Sequence, residues 1–234
     1  WSSDVCSSDL QNAQIVSMEQ LLMIIEYATF DFQRAIGKGV CDITDNSSYN
    51  CSAITGSTAS LGNTTGRAAS TNVEIGGTTT AYTEDGKTSI SYRGVENFYA
   101  NIWKFVIGIN VYGNGSNAGG IPYICTDYNY AESKNTDNYV SVGFTLPAAS
   151  GWIKYFGYSE DFDWLFMPTT NGGSNALPVG DYDYVTANLN AYRIAKLGAR
   201  WNNGWVAGAF CWGCSGAVGN RYRDLGGRLA YIPA

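Results

Sequence analysis

A chain of 234 residues with 45% hydrophobic and 14% aromatic residues can bury a real core, as one large domain or a domain with an appendage. Its net charge of −6 argues against a general binder of phosphate backbones. The absence of histidine removes the commonest general base, pH switch and zinc ligand together. No run approaches the ~18 apolar residues of a membrane-spanning helix. Neither nucleic acid nor membrane insertion is therefore expected.

The first ten residues, WSSDVCSSDL, lack the basic start and apolar core of a signal peptide. They resemble translated sequencing-adapter read-through at the ends of metagenomic reading frames, so residues 1–10 are expected to be foreign to the fold. Setting Cys6 aside leaves Cys41, Cys51, Cys125, Cys211 and Cys214, an odd set with no disulfide framework. Within residues 11–40, Ser17-Met-Glu-Gln20 has the form of a capping box. Leu21, Leu22, Ile24, Ile25, Ala28, Phe32 and Ile36 follow as a broad apolar face, and Gly37 supplies a stop, which predicts a helix over 18–36. That face can pack on the main domain or self-associate as a stem; the pattern is too short for a sustained heptad and favours packing.

Residues 41–88 change to Ser/Thr/Gly-rich composition and read as a connector or insertion, with loop-like steps at Asn46-Ser-Ser, Thr55-Gly-Ser-Thr, Asn63-Thr-Thr-Gly and Gly76-Gly-Thr. Val73, Ile75 and Tyr82 fit the inward positions of short strands, and Glu84-Asp-Gly-Lys87 fits a turn. Cys41 and Cys51 can either pair in an oxidising setting or be two buried thiols. Order returns over 89–234. Val95, Phe98, Ile102 and Phe105 recur at helical spacing, widened by Tyr99, Trp103 and Val106, which predicts a second helix. Strands are expected at Ile109–Tyr112 and Val140–Leu146, separated by a loop through Asn114–Gly120. The apolar segments Gly151–Gly157 and Asp163–Pro168, then Asp181–Tyr184 and Arg193–Ala199, lead to the end of the chain. Short mixed strands after helices, with large loops, make an α+β domain.

The final stretch, RWNNGWVAGAFCWGCSGAVGNRYRDLGGRLAYIPA from Arg200, is unusually dense in aromatic, glycine and arginine residues for an acidic chain. Glycines and alanines there (Gly204, Ala207, Gly208, Ala209) permit tight turns and close packing. The aromatics can bury large areas, and Arg221, Arg223 and Arg228 can satisfy several loop carbonyls at once. Cys211-Trp-Gly-Cys214 has the spacing of a redox pair or half a metal site, but no second half exists in the sequence. Glu160-Asp161-Phe-Asp163 and Asp181-Tyr-Asp183 can be a glycosidase or calcium cluster, yet read more simply as solvated turns without the spaced calcium loop. No catalytic residue, metal or cofactor is expected.

Two separated motifs carry a family resemblance. Asn101-Ile-Trp103-Lys-Phe105 resembles the N-V-W-E-W segment of the C-type lectin fold in its formylglycine-generating-enzyme-like branch. Gly198-Ala-Arg200-Trp201-Asn-Asn-Gly204, followed by Asn220-Arg-Tyr-Arg-Asp-Leu-Gly-Gly-Arg228, resembles that branch's terminal R-G-G-S-W … R … I-G-F-R. Within the branch the chain is similar to the variable proteins of diversity-generating retroelements, many of them phage tail receptor-binding proteins. The resemblance brackets residues 89–234. It implies a C-type lectin fold with short mixed strands, two helices and long loops, plus the N-terminal helix. It further implies a non-enzymatic receptor-binding protein on a virion tail or another extracellular surface, a bacterial surface receptor of protein or glycan as partner, and a homo-oligomer such as a trimer.

In such proteins a reverse transcriptase mutates template adenines, so asparagine codons become nearly any residue. Asparagine restored at Val206, Gly213, Ser215, Gly216, Tyr222 and Asp224 gives a repetitive frame, and each present residue is two bases or fewer from an asparagine codon. Those six are the implied ligand-contacting positions within a variable region 200–228. Asn202, Asn203, Trp205, Trp212, Cys214 and Asn220 are further contact candidates. Asn101, Trp103, Trp201, Arg221, Arg223 and Arg228 are implied scaffold. The expectation is sharp: Trp201, Gly204, Ala207, Phe210, Trp212 and the three arginines buried or bonded, and the six substitutable positions exposed on one face. The alternatives are a cysteine oxidase of the formylglycine-generating type, a bacterial surface adhesin with the same fold, and a glycine-rich hairpin that displays nothing.

Overall fold

The computed structural model describes residues 8–44, 50–116, 118–131 and 133–231. Cys6 with the rest of residues 1–7, the Asn46-Ser-Ser step and Asn117 lie outside the described residues. The described chain is a mixed α+β protein, mostly strand, with two helices near its beginning. No described helix is long and apolar enough to cross a membrane.

The first helix, α1 (Ala13–Tyr27), begins five residues before the predicted start. Asn12 is its cap: the Oδ1 of Asn12 accepts the amide of Ile15 at 3.0 Å, while its Nδ2 donates to Tyr130. Ser17 is therefore not a cap but a buried residue inside the helix. The helix ends at Ala28, whose left-handed conformation returns its amide to Ile24. A separate short helix, α2 (Phe32–Ala35), follows, so the single helix predicted over 18–36 is two. The buried face of α1 is also not the predicted one. Ala13, Val16, Ser17, Gln20 and Met23 face inward, whereas Met18, Leu21, Leu22 and Ile25 face solvent. Gln20 is tied down by its amide donating to the carbonyl of Ala209 at 2.7 Å, which fixes α1 to the terminal stretch.

The predicted helix over 95–106 is absent. Val95–Glu96 is a short strand, a turn follows, and Trp103–Tyr112 is the long central strand β1. Asn97, Ala100 and Asn101 all take left-handed backbone angles, which no helix tolerates in succession. The periodic Val95, Phe98, Ile102 and Phe105 thus come from a turn running into a strand rich in β-branched and aromatic residues.

β1 is paired on both edges. One edge carries β4 (Tyr192–Leu197) along most of its length, antiparallel. The other is shared by β2 (Ile121–Cys125), which pairs with Ile109–Tyr112, and by β5 (Leu225–Gly226), which runs parallel to Trp103–Lys104. Between them Asn12 bridges to Ile107. β3 (Tyr139–Ser141) extends the sheet beyond β2, a shorter strand than the expected Val140–Leu146. Opposite β4 the register slips past residues 107–109, and Gly108, at φ +79, supplies the backbone turn of that bulge.

Three small antiparallel sheets surround this one. In the region expected to be a connector, Cys51–Ala53, Thr71–Ile75 and Thr78–Tyr82 form a meander with Val73 fully buried and Gly76-Gly77 at the turn. Gly66–Arg67, Ile90–Tyr92 and Val95–Glu96 form the second. Gly151–Phe156 pairs with Pro168–Asn171 and Tyr182–Asp183 in the third. Ser8–Leu10, from the segment expected to be foreign, pairs with Leu229–Tyr231.

The main core lies between the central sheet, the buried face of α1 and the terminal stretch, and includes Val106, Ile109, Leu197, Phe210 and Trp212. Phe210 is its aromatic hub, with Phe30, Phe32, Phe156 and Phe166 within ring distance. A second cluster is built around Trp201 with Val40, Ile43, Cys51, Ala53 and Val73. Cys41 belongs to the first cluster and Cys51 to the second.

Candidate functional site

The terminal stretch leaves β4, turns through Gly198, and passes under the sheet before returning to it as β5. Strand-like bridges help to hold its first half. Trp212 bridges to Leu197, and Gly213 bridges to Tyr184. The frame residues Trp201, Ala207, Phe210 and Trp212 are fully buried, and Trp212 donates its indole N–H to the carbonyl of Phe166 at 2.7 Å. Gly208 has no room for a side chain, since a Cβ there would lie 1.9 Å from Asp181. That closeness lets the Asp181 carboxylate accept the amide of Phe210 at 2.6 Å.

A cleft of about 440 Å³ opens where the stretch meets the sheet. Its wall is made by Trp103 of β1, Lys196 of β4, Tyr184, Arg200, Asn203, Ser215, Tyr222, Asp224 and Leu225. The Trp103 indole stands edge-on to Tyr184, and the Lys196 ammonium sits over it at 4.7 Å, a cation–π contact. Arg200 is ion-paired with Asp224, and Asn203 donates to the Tyr184 hydroxyl at 3.3 Å. Burial depresses the Lys196 ammonium below the usual lysine range, against a smaller opposing pull from Asp224. Asp224 is 5% exposed, and its Oδ1 has no partner among the described residues.

Of the six substitutable positions, Ser215, Tyr222 and Asp224 line this cleft. Gly213 and Gly216 lie beneath it: a Cβ on Gly213 would meet Lys196 Cε at 2.8 Å and Trp103 Cζ3 at 3.0 Å, and one on Gly216 would meet Lys196 at 3.9 Å. Val206 stands apart, half-buried at the end of the Gly204–Val206 turn and packed on the main core. The expectation of six exposed side chains therefore needs correction. Ser215 and Tyr222 are exposed, Val206 is half-buried, and Gly213, Gly216 and Asp224 are buried. The strand bridges at Gly213 and the Arg200 pair at Asp224 draw these positions inward.

The further contact candidates divide. Asn203 lines the cleft, and Asn202 is exposed, accepting from Arg200 Nε at 3.0 Å. Asn220 lies beside Gly216. Trp205 is covered by two cations, the Arg34 guanidinium at 4.4 Å and Lys38 Nζ at 4.5 Å. Trp212 and Cys214 are fully buried and cannot touch a ligand. Among the scaffold residues, Asn101 joins three segments: its amide donates to Val40, its Oδ1 accepts from Ala53, and its carbonyl accepts from Trp201. Arg228 bonds the carbonyl of Glu96, and its own carbonyl accepts the amide of Gln11. Arg223 is exposed but ion-paired with Glu74 at 2.5 Å. Arg221, expected to be bonded, is instead exposed along a separate groove.

The chemical alternatives have their geometry too. Cys211 and Cys214 are fully buried thiols, pushed well above the usual thiol range first by burial and then by neighbouring carboxylates. Neither is the exposed, low-pKa thiol that redox chemistry uses. Among the described residues no cluster of histidine, cysteine or carboxylate side chains could hold a metal ion. Glu160, Asp161 and Asp163 are an exposed turn, as expected. Asp181 and Asp183 are not a solvated turn: both are buried under the site, Asp181 held well above the carboxylate range by burial and Asp183 pushed up to about 7. Sequence reasoning passed over Lys196, Arg200 and Tyr184 as site residues. The signal available for Lys196 was alternation in β4, where buried Ala195 and Leu197 put residue 196 on the opposite face. No model of a known protein family matches the chain, and no curated protein is similar to it.

Proposed function

We propose that this protein is a non-enzymatic receptor-binding protein with a C-type lectin fold, a variable protein of the diversity-generating type. On this reading it sits at a phage tail tip or on another extracellular surface and recognises a bacterial surface ligand through residues 202–224. One observation carries the reading: five of the six substitutable positions gather on or under one cleft, although they are spread over twelve residues of chain. They rest on a buried frame of Trp201, Phe210 and Trp212, a fixed support on which the exposed Ser215 and Tyr222 side chains can change. No step of catalysis is assigned, since the buried Cys211 and Cys214 offer no reactive thiolate.

Self-association belongs to the same reading. Met18, Leu21 and Ile25 recur at spacings of three and four on the solvent face of α1, with Leu22 beside them. Several copies so joined would multiply a weak single-site affinity. The test of the reading lies in the neighbouring DNA. A near-copy of the segment encoding residues 200–228, differing at adenines and beside a reverse transcriptase gene, is the expected finding. Differences scattered over all bases and outside the six positions would overturn it.

A further inference from the structure

We propose that the cleft takes an acidic sugar, a hydroxylated ring bearing one carboxylate; this rests on the reading of residues 202–224 as a recognition face. The first support is charge. The charged side chains lining the cleft are Lys196, Arg200 and Asp224, and Arg200 and Asp224 cancel in their ion pair. Lys196 makes no ion pair among the described residues, and its ammonium rests over the face of Trp103. One uncompensated cation at the bottom of a cleft, in a chain of net charge −6, selects one anionic group.

Shape and lining decide what carries that group. A concavity of about 440 Å³ falls within the range of small-ligand pockets, whereas a protein partner needs a broad face of ~800 Å² on each side. The wall alternates aromatic rings (Trp103, Tyr184, Tyr222) with hydrogen-bonding groups from Asn203, Ser215 and Asp224. A sugar ring needs both, rings against its C–H face and polar groups for its hydroxyls. Asp224 adds a specific demand. Its Oδ1 is buried and unpartnered, an acceptor waiting for a donor. A ligand hydroxyl seated against Asp224 supplies that donor; the carboxylate tip of an acidic peptide would not. Gly213 completes the arrangement, because any side chain there would press on Lys196 and Trp103 and lift the ammonium from its seat.

The experiment titrates the full chain with sodium glucuronate, sodium galacturonate and N-acetylneuraminate, and with methyl glucoside and methyl galactoside as neutral counterparts. Binding is followed by tryptophan fluorescence, to which Trp103 contributes, and by saturation-transfer NMR. The expected result is saturation by at least one acid, with its neutral counterpart weaker by about tenfold, the effect of losing one charge-assisted hydrogen bond. Lys196→Met should remove the preference for the acid, and Lys196→Arg should keep it. Equal binding of acid and neutral sugars, or saturation by none, overturns the proposal. Capture of whole bacterial cells by the wild type and Tyr222→Ala separates the two layers. If no sugar binds but Tyr222→Ala abolishes capture, the sugar is wrong and the recognition face stands. If Tyr222→Ala leaves capture unchanged as well, both fall.

Discussion

Asp181 and Gly208 make a matched pair, and neither is replaceable alone. The Asp181 carboxylate reaches the Phe210 amide only because Gly208 lacks a side chain. Gly208→Ala should destabilise the protein by about 3 kcal/mol or more, through overpacking and a lost buried hydrogen bond, which urea unfolding would read directly. Asp183 gives a pH-dependent prediction. Burial disfavours its charged form, and the Asn171 side chain offsets this only in part. Its folded-state pKa is raised, chiefly by burial, from 3.8 to about 7, so between those values the folded chain holds a proton that the unfolded chain releases. Stability should therefore fall as pH rises from about 4 to about 7 and then level off, with Asp183 contributing a few kcal/mol of the loss. Asp183→Asn should remove its share of that slope in urea melts at pH 4, 5.5 and 8, leaving the decline due to Asp181, whose carboxyl is also raised by burial. Sequence showed the Asp-Tyr-Asp step but not its burial, because an acidic pair beside turn residues is most often solvated. What buries it is the terminal stretch folding over Tyr182–Asp183 from thirty residues away, a contact no local pattern records.

At the level of elements, α1 shows what periodicity can and cannot tell. Its existence was legible from the apolar repeat; its orientation was not, because both faces are apolar and the core chose the one carrying Ser17 and Gln20. Gln20 earns that choice by its bond to Ala209. The outward stripe then predicts association: Leu21→Glu with Ile25→Glu should lower the mass seen by light scattering to that of one chain without changing the melting temperature. Asn12→Ala should cost about 1 kcal/mol in the same denaturation assay, the usual worth of a lost helix cap, whereas Ser17→Ala should cost less, since its hydroxyl bonds nothing among the described residues. The false helix over 95–106 has the opposite lesson. Its spacing was helical, yet Ala100 and Asn101 take left-handed angles where Gly39 and Gly198 press against them, and pairing with β4 turns the following residues into strand.

Over the whole molecule, the α+β class and the short strands around Val73, Ile75 and Tyr82 were legible in composition and turn residues, while their pairing into a meander and the assembly of the cleft were not. Trp103, Tyr184, Lys196 and Tyr222 are brought together by two strands, a bridge residue and a loop from separate parts of the chain. The same non-local logic governs the edge of β1. That edge is filled at Ile107 by Asn12 and at Trp103–Lys104 by Leu225–Gly226, segments from opposite ends of the described chain. During synthesis, then, the central strand emerges from the ribosome with half its backbone unsatisfied and waits for more than a hundred residues before its last partner arrives. In that interval the nascent chain presents an open, apolar sheet edge, the surface that chaperones grip and that neighbouring nascent chains can pair with. Truncation after Arg223 should freeze this stage, giving a product that binds hydrophobic dye and rapidly exchanges the Trp103 amide, which in the whole chain donates to Asp224. The cleft is thus closed only late in folding, when Leu225–Gly226 reaches the central strand.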